Sequence, residues 1–220
     1  MLSSKPQFEV ILLAAGLSTR MGARNKMLLP VRGQPLIRHV AGRLIEADIG
    51  RVHAVTGFEA ERVVDALAGL DLDIIFNAAF ETGQMSSVSA GFRAMPKSTT
   101  GMMIALGDMP HLTAADYRLV ADAFHADGGR QIAVPFFNGE RGNPIVIPAR
   151  FMPEIIDGEL NAGCRKLIAR RPNDILRVEV NSPAFVGDID TPEDFARVRV
   201  SIPSEQLSQN SKGLELGPQG

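Results

Sequence analysis

The sequence predicts a three-layer α/β domain, Rossmann-like, with a mostly parallel sheet covered by helices on both faces. Two observations predict it. Short apolar runs alternate with segments of helical period along most of the 220 residues, and alternating strands and helices build crossover connections and parallel pairing. The chain is also 45% hydrophobic and 22% charged, enough for one domain with a sizeable core.

The elements follow in order. Residues 8–14 form an apolar run and read as a buried strand. Residues 35–47 read as a helix, with Leu36, Ile37, Val40, Leu44 and Ile45 on one face and Pro35 near the start. A strand at 52–56 precedes a helix at 59–67, with Val63, Val64 and Leu67 inward. A strand at 72–76 precedes a helix at 83–95, where Met85, Val88, Phe92 and Met95 recur at helical spacing. The strand at 102–106 leads to a helix at 113–125 that opens on a capping box, Thr113 with Asp116. Strands at 132–135 and 144–147, a helix at 164–170 and a strand at 175–180 follow. A last helix starts at Thr191, with Pro192 in its first turn and Asp194 completing the cap pattern. Nothing splits the chain, so residues 1–200 form one domain. Residues 201–220 are polar, weakly patterned and expected to be a mobile tail.

Composition excludes several classes. A net charge of −2 gives no general basic surface for nucleic acid or an anionic membrane, so any cationic site is local. One cysteine, Cys164, excludes an intramolecular disulfide, and no Cys/His spacing resembles a zinc site. No apolar run reaches the ~18 residues of a membrane span. The run after Lys5 is too short for a signal peptide and is interrupted by Glu9, so a cytoplasmic protein is expected.

The stretch LAAGLSTRMGARNKMLL, residues 13–29, lies where the first strand ends. In an open α/β sheet, ligands bind beyond the carboxyl ends of the strands. Its composition suits a polyphosphate. Gly16 and Gly22 permit unusual backbone angles and close approach, and consecutive N–H groups can converge on an anion. Ser18 and Thr19 add hydroxyls, and Arg20, Arg24 and Lys26 add charge, an arginine fork matching two phosphate oxygens at once. There is no G-x-x-x-x-G-K-S/T and no G-x-G-x-x-G, which excludes a P-loop and a nicotinamide-dependent oxidoreductase.

This stretch resembles the signature L-A-A/G-G-x-S-x-R-M-G-x-x-K of the molybdenum-cofactor nucleotidyltransferases. FNAAFETGQMSSVSAGF, ALGDMPHL, RGNPIVI and GDIDTPEDF resemble further blocks of that family, in the family's order, over roughly residues 8–200. LAAG, where guanylyl relatives have LAGG, resembles the cytidylyltransferase branch. The resemblance implies a fold of the nucleotide-diphospho-sugar transferase type. It implies transfer of CMP from CTP onto molybdopterin, with release of pyrophosphate and with Mg2+. A molybdoenzyme would be a possible partner.

Site residues are carried over from the same blocks. Lys26 and Arg20 are the catalytic candidates, on the α-phosphate and on the β- and γ-phosphates. Nucleotide binding is expected from Leu13, Ala14, Ala15, Gly16, Ser18, Arg20, Lys26, Asn77, Ser86 and Ser87. The metal is expected on Asp108, which follows a buried strand, and on Asp190, with Asp188 pointing elsewhere by strand alternation. A phosphate monoester is already an anionic nucleophile, so no general base is needed, in keeping with the lack of a Ser/His/Asp or Cys/His arrangement.

The chain departs from the family pattern at four places. Asn25 stands where Asp is frequent, Asn143 replaces His, Leu160 and Asn161 replace Gly-Asp, and Cys164 replaces Ala. Cys164 reads as a small packed residue. Alternatives are another nucleotide such as GTP, another phosphorylated acceptor, or a non-catalytic cofactor-binding accessory protein.

Overall fold

A computed structural model describes residues 7–19, 25–157, 163–189, 191 and 193–196. Arg20, Arg24, Leu160, Asn161, Asp190, Pro192 and the tail at 201–220 lie outside the described residues.

Strand β1 (Gln7–Ala14) comes first, followed by a hairpin of two-residue strands, β2 (Pro30–Val31) and β3 (Gln34–Pro35). Helix α1 (Leu36–Ala47) leads to β4 (Arg51–Thr56), α2 (Ala60–Leu67) and β5 (Asp73–Phe76). Helix α3 (Gln84–Ala94), β6 (Thr99–Leu106) and α4 (Ala114–Ala126) follow. Next are β7 (Ile132–Phe137), β8 (Glu140–Arg141) and β9 (Ile145–Pro148), then α5 (Met152–Asp157), α6 (Gly163–Arg170) and β10 (Ile175–Glu179).

The main sheet runs β10-β7-β9-β6-β1-β4-β5, with β8 paired to β7. β1 is parallel to β4 and β6, β4 to β5, and β7 to β10, so the expected mostly parallel sheet is present. β9 runs antiparallel between β6 and β7. The connection from β7 to β9 is too short for a crossover helix, which leaves only antiparallel pairing. The two short hairpin strands, β8 and α5 carry too few residues to show a period and were not expected from sequence.

β1 explains the three layers. Its side chains alternate between faces. Val10, Leu12 and Ala14 pack with Leu36, Val40 and Leu44 of α1, Val63 and Leu67 of α2, and Tyr117, Val120 and Phe124 of α4. Ile11 and Leu13 pack on the opposite face with Met85, Val88 and Phe92 of α3, Ile155 of α5 and Leu167 of α6. Ile11 and Leu12 are both wholly buried, each burial contributing about 1.5–3 kcal/mol. A polar substitution at either opens one of the two cores.

The capping box at Thr113 and Asp116 forms as expected, and Thr191 and Asp194 exchange the same bonds ahead of helical residues 193–196. One helix faces differ from expectation. Val63 and Leu67 of α2 are buried, one turn apart, whereas Val64 is 36% exposed because it sits beyond the narrow apolar stripe of this short helix.

Candidate functional site

β1, β4 and β6 are parallel, so their carboxyl ends meet along one edge of the sheet. A cleft of about 550 Å³ opens there. One wall is the turn after β1, where Ala15, Gly16, Leu17, Ser18 and Thr19 line the space. Ser18 sits in the left-handed region at φ 54°. The backbone N–H groups of Gly16, Leu17 and Ser18 find no acceptor among the described residues, so three successive donors stand open beside the cleft. A Cβ built on Gly16 would meet nothing within 4 Å, and the space over its backbone belongs to a ligand or solvent.

Lys26 follows from the same loop. Asn25, only 3% exposed, caps the short 3₁₀ turn Lys26–Leu28: its Oδ1 accepts from Met27 N at 3.0 Å, and its Nδ2 donates to Phe58 O at 3.2 Å. Lys26 N donates to Ser18 Oγ at 3.1 Å. The base of the lysine is thereby tied both to the turn after β1 and to the loop after β4. Asn25, to which the sequence assigned no role, is a positioning residue.

Asp108 arrives from the next strand over. Gly107 N donates to Leu13 O at 3.0 Å, and a Cβ on Gly107 would lie 2.8 Å from that same oxygen, so the β6 turn can hug β1 only with glycine there. Lys26 Nζ donates to Asp108 Oδ2 at 2.6 Å and to Ile189 O at 3.0 Å, and Ile189 N donates to Asp108 O at 2.9 Å. Three distant segments, at 26, 108 and 189, are thus stitched at one point. Asp108 Oδ1 is buried and has no hydrogen-bond partner among the described residues. An ionised oxygen in that state is costly unless a cation or donor occupies it. Asp188 lines the cleft, contrary to the expectation that alternation would turn it away; the segment 187–189 is irregular and follows no strand alternation.

His39 supports the turn carrying Asp108. Its Nε2 lies 3.1 Å from Pro110 O and its Nδ1 3.4 Å from Gln34 Nε2, an arrangement satisfied by the neutral Nε2–H tautomer. Burial holds its pKa below the usual histidine value.

The far wall comes from the first turn of α3 and from the β8–β9 region. Gly83, Gln84 and Ser87 line the cleft. Asn77 is not among the lining residues: its Nδ2 donates to Ser86 Oγ at 2.8 Å and Ser87 Oγ at 3.0 Å, and its Oδ1 accepts from Ala79 N at 3.0 Å. Ser86 Oγ donates back to Gly83 O at 2.8 Å. Of the three polar residues expected in this block, Ser87 reaches the cleft, and Asn77 and Ser86 hold it in place. Arg141, Asn143 and Cys164 line the cleft as well. Burial pushes the Cys164 thiol up to about 11, so at neutral pH it is protonated and a poor nucleophile.

The structure therefore brings together Leu13, Ala15, Gly16, Ser18, Lys26, Ser87 and Asp108, whereas Ala14, also expected at the nucleotide, is wholly buried in the core because strand alternation turns it to the other face. Phe80, Gln84 and Arg141 line the cleft too and were not singled out from sequence. Arg141 stands at the head of RGNPIVI, the one signal that marked it. Among the described residues no cluster of three or more His, Cys, Asp or Glu could by itself hold a metal ion, and no helix is long and apolar enough to cross a membrane.

The MobA-like NTP transferase domain family matches residues 10–175, and with them the turn after β1, Lys26 and Asp108. This chain belongs to that family. It is 29% identical over 188 residues to the molybdenum cofactor cytidylyltransferase of Escherichia coli K12, covering 85% of this chain and 93% of that protein. It is 34% identical over 134 residues to the bifunctional protein GlmU of Agrobacterium fabrum, covering 60% of this chain but only 29% of that protein's length. The crystal structure of Rv0371c from Mycobacterium tuberculosis H37Rv shares the fold, with a TM-score of 0.80, 24% identity, 90% of this chain and all of that one. A second structure of Rv0371c is a complex with manganese, with a TM-score of 0.75, 22% identity and the same coverage. The structural neighbours are thus nucleotidyltransferases of the nucleotide-diphospho-sugar transferase fold, the type that the motif resemblance implied.

Proposed function

We propose that this protein is a cytidylyltransferase that moves CMP from CTP onto molybdopterin, releasing pyrophosphate, with Mg2+. The observation that carries this reading is the meeting of Lys26, Asp108 and three open backbone N–H groups beneath the LAAG turn. The match along most of the E. coli cytidylyltransferase supports the choice of base and acceptor.

The N–H groups of Gly16, Leu17 and Ser18 cradle the triphosphate, and the first turn of α3 adds its dipole from across the cleft. Lys26 Nζ, fixed between Asp108 Oδ2 and Ile189 O, stabilises the charge that builds on the α-phosphate. Arg20 is assigned the departing β- and γ-phosphates from its motif position. The unpartnered Asp108 Oδ1 fits a hard divalent cation, with Asp190 assigned as the second acid. When bound, such a cation neutralises phosphate charge and aligns attacking and leaving oxygens. The molybdopterin phosphate attacks as an anion, so the residues at the cleft need only orient the reactants and hold charge.

The test is pyrophosphate release with each nucleoside triphosphate in turn, in the presence of Mg2+ and molybdopterin. CTP should give the highest kcat/KM. Release that does not depend on molybdopterin, or a preference for GTP, would overturn the assignment.

A further inference from the structure

Phe80 has no place in either apolar core. It is half-buried, belongs to neither cluster of buried side chains and lines the cleft. It opens a 3₁₀ turn, Phe80–Thr82, that ends at Gly83 just before α3. What fixes it is a contact with two elements of the opposite wall. A Cβ built on Gly57 would lie 2.5 Å from Phe80 Cβ, 2.7 Å from Phe80 Cγ and 2.9 Å from Ala15 Cβ. Phe80 and Ala15 therefore both rest on the space that glycine leaves at position 57. Gly57 follows directly on β4, and Phe58 N donates to Ala15 O at 3.3 Å, so this corner is tied to the turn after β1.

An aromatic ring at the rim of a nucleotide cleft, excluded from the core, has one ready partner. Every nucleobase presents a π-face, and base–aromatic stacking is strong and indifferent to sequence. The ring itself would not choose between bases. Its position would, because Phe80 and Ala15 meet over Gly57 and together border the space a base can enter.

We infer that Phe80 is the stacking wall of the base subsite and that Gly57, by lacking a side chain, sets the subsite's width. This inference rests on the cytidylyltransferase reading only in which base is preferred. A stacking wall would serve any nucleotide, whereas a structural role for Phe80 would not distinguish a base from a bare phosphate chain.

The experiment uses the full chain and two probes, Mg–CTP and inorganic tripolyphosphate, which carries the same anionic chain without a base. In Phe80→Ala, affinity for CTP should fall about 5- to 150-fold while that for tripolyphosphate stays within twofold. Equal losses for both probes, or no loss of CTP affinity, would overturn the stacking role. In Gly57→Ala, checked for folding by its thermal transition, the ratio of CTP to GTP affinity should rise about tenfold, because the new methyl drives Phe80 or Ala15 into the cleft. An unchanged ratio in the folded variant would overturn the width role. If the wild type prefers another nucleotide, the cytidylyl reading fails by itself, and the Phe80 comparison is made with that nucleotide.

Discussion

The two edges of the sheet handle buried charge in opposite ways. At the amino edge, Glu9 of β1 is only 3% exposed, yet its Oε2 lies 2.9 Å from His53 Nε2 of β4. His53 Nδ1 lies 3.3 Å from Asp73 of β5, and Arg51 clasps Asp73 through two bonds of 2.8 and 2.9 Å and reaches Asp71 as well. These charges close on one another across three neighbouring strands. At the carboxyl edge, two buried carboxylate oxygens have no hydrogen-bond partner among the described residues: Asp108 Oδ1, just beyond β6, and Glu59 Oε2, just beyond β4. A charge cluster that serves the fold completes itself. The carboxyl edge leaves these oxygens and three N–H groups open, at a cost in stability that a bound cation or donor would offset.

Breaking the open edge should cost activity and little stability. Lys26→Ala should lower kcat by about 10²–10³, by analogy with loss of one electrostatic donor, and keep a near-wild-type unfolding midpoint. Steady-state turnover near wild type would remove Lys26 from the chemistry. Asp108→Asn keeps the shape of the side chain and removes its charge. It should weaken Mg-dependent nucleotide binding at least about tenfold, with a smaller effect from Asp188→Ala. Calorimetry with and without Mg2+ reads both, and equal effects would shift the second metal acid to Asp188.

Breaking the closed edge should do the reverse. Glu9→Gln leaves a buried amide beside His53 and should cost about 1–3 kcal/mol in urea unfolding with turnover unchanged. Loss of turnover without loss of stability would mean that the two edges are not separate in function.

Ala15 is a finer test of the open edge. It is 3% exposed and packs where the Gly57 corner meets the cleft. Ala15→Gly should narrow the preference for CTP over GTP by roughly tens-fold without inverting it, measured as kcat/KM for both nucleotides. The smallest effect belongs to Cys164. With its thiol pKa raised from 9.0 to about 11, alkylation at pH 7.5 should be slow and should keep accelerating as pH rises through about 11, the thiolate being the reactive form. Cys164→Ser should leave turnover within about twofold, and fast labelling at neutral pH would contradict the desolvated thiol.

Much of this was legible in the sequence, for particular reasons. Strand and helix periods located β1, β4, β6 and the three longest helices, α1, α3 and α4, because each buries a long apolar face. The carboxyl edge was legible because a strand end followed by glycines, hydroxyls and cations marks an anion site in any parallel sheet. What stayed hidden depends on contacts remote in sequence. Asn25 looked like a lost acid, and only its bonds to Met27 and Phe58 show it holding the lysine. Asn77 looked like a ligand contact, and only the positions of Ser86 and Ser87 show where its amide is used. Phe80 sits inside the FNAAFETGQMSSVSAGF block but was not singled out there; its meaning comes from the space missing at Gly57.

The stitch through Ile189 has a consequence for the order in which the protein comes into being. Its N–H and carbonyl bind Asp108 and Lys26, yet the family-matched segment ends at 175. During synthesis the whole sheet can assemble while Lys26 still lacks its bond to Ile189. The stitch closes late, once the segment through Ile189 has left the ribosome. An incomplete chain would hold the sheet and yet lack the bonds that tie Lys26 and Asp108 to Ile189.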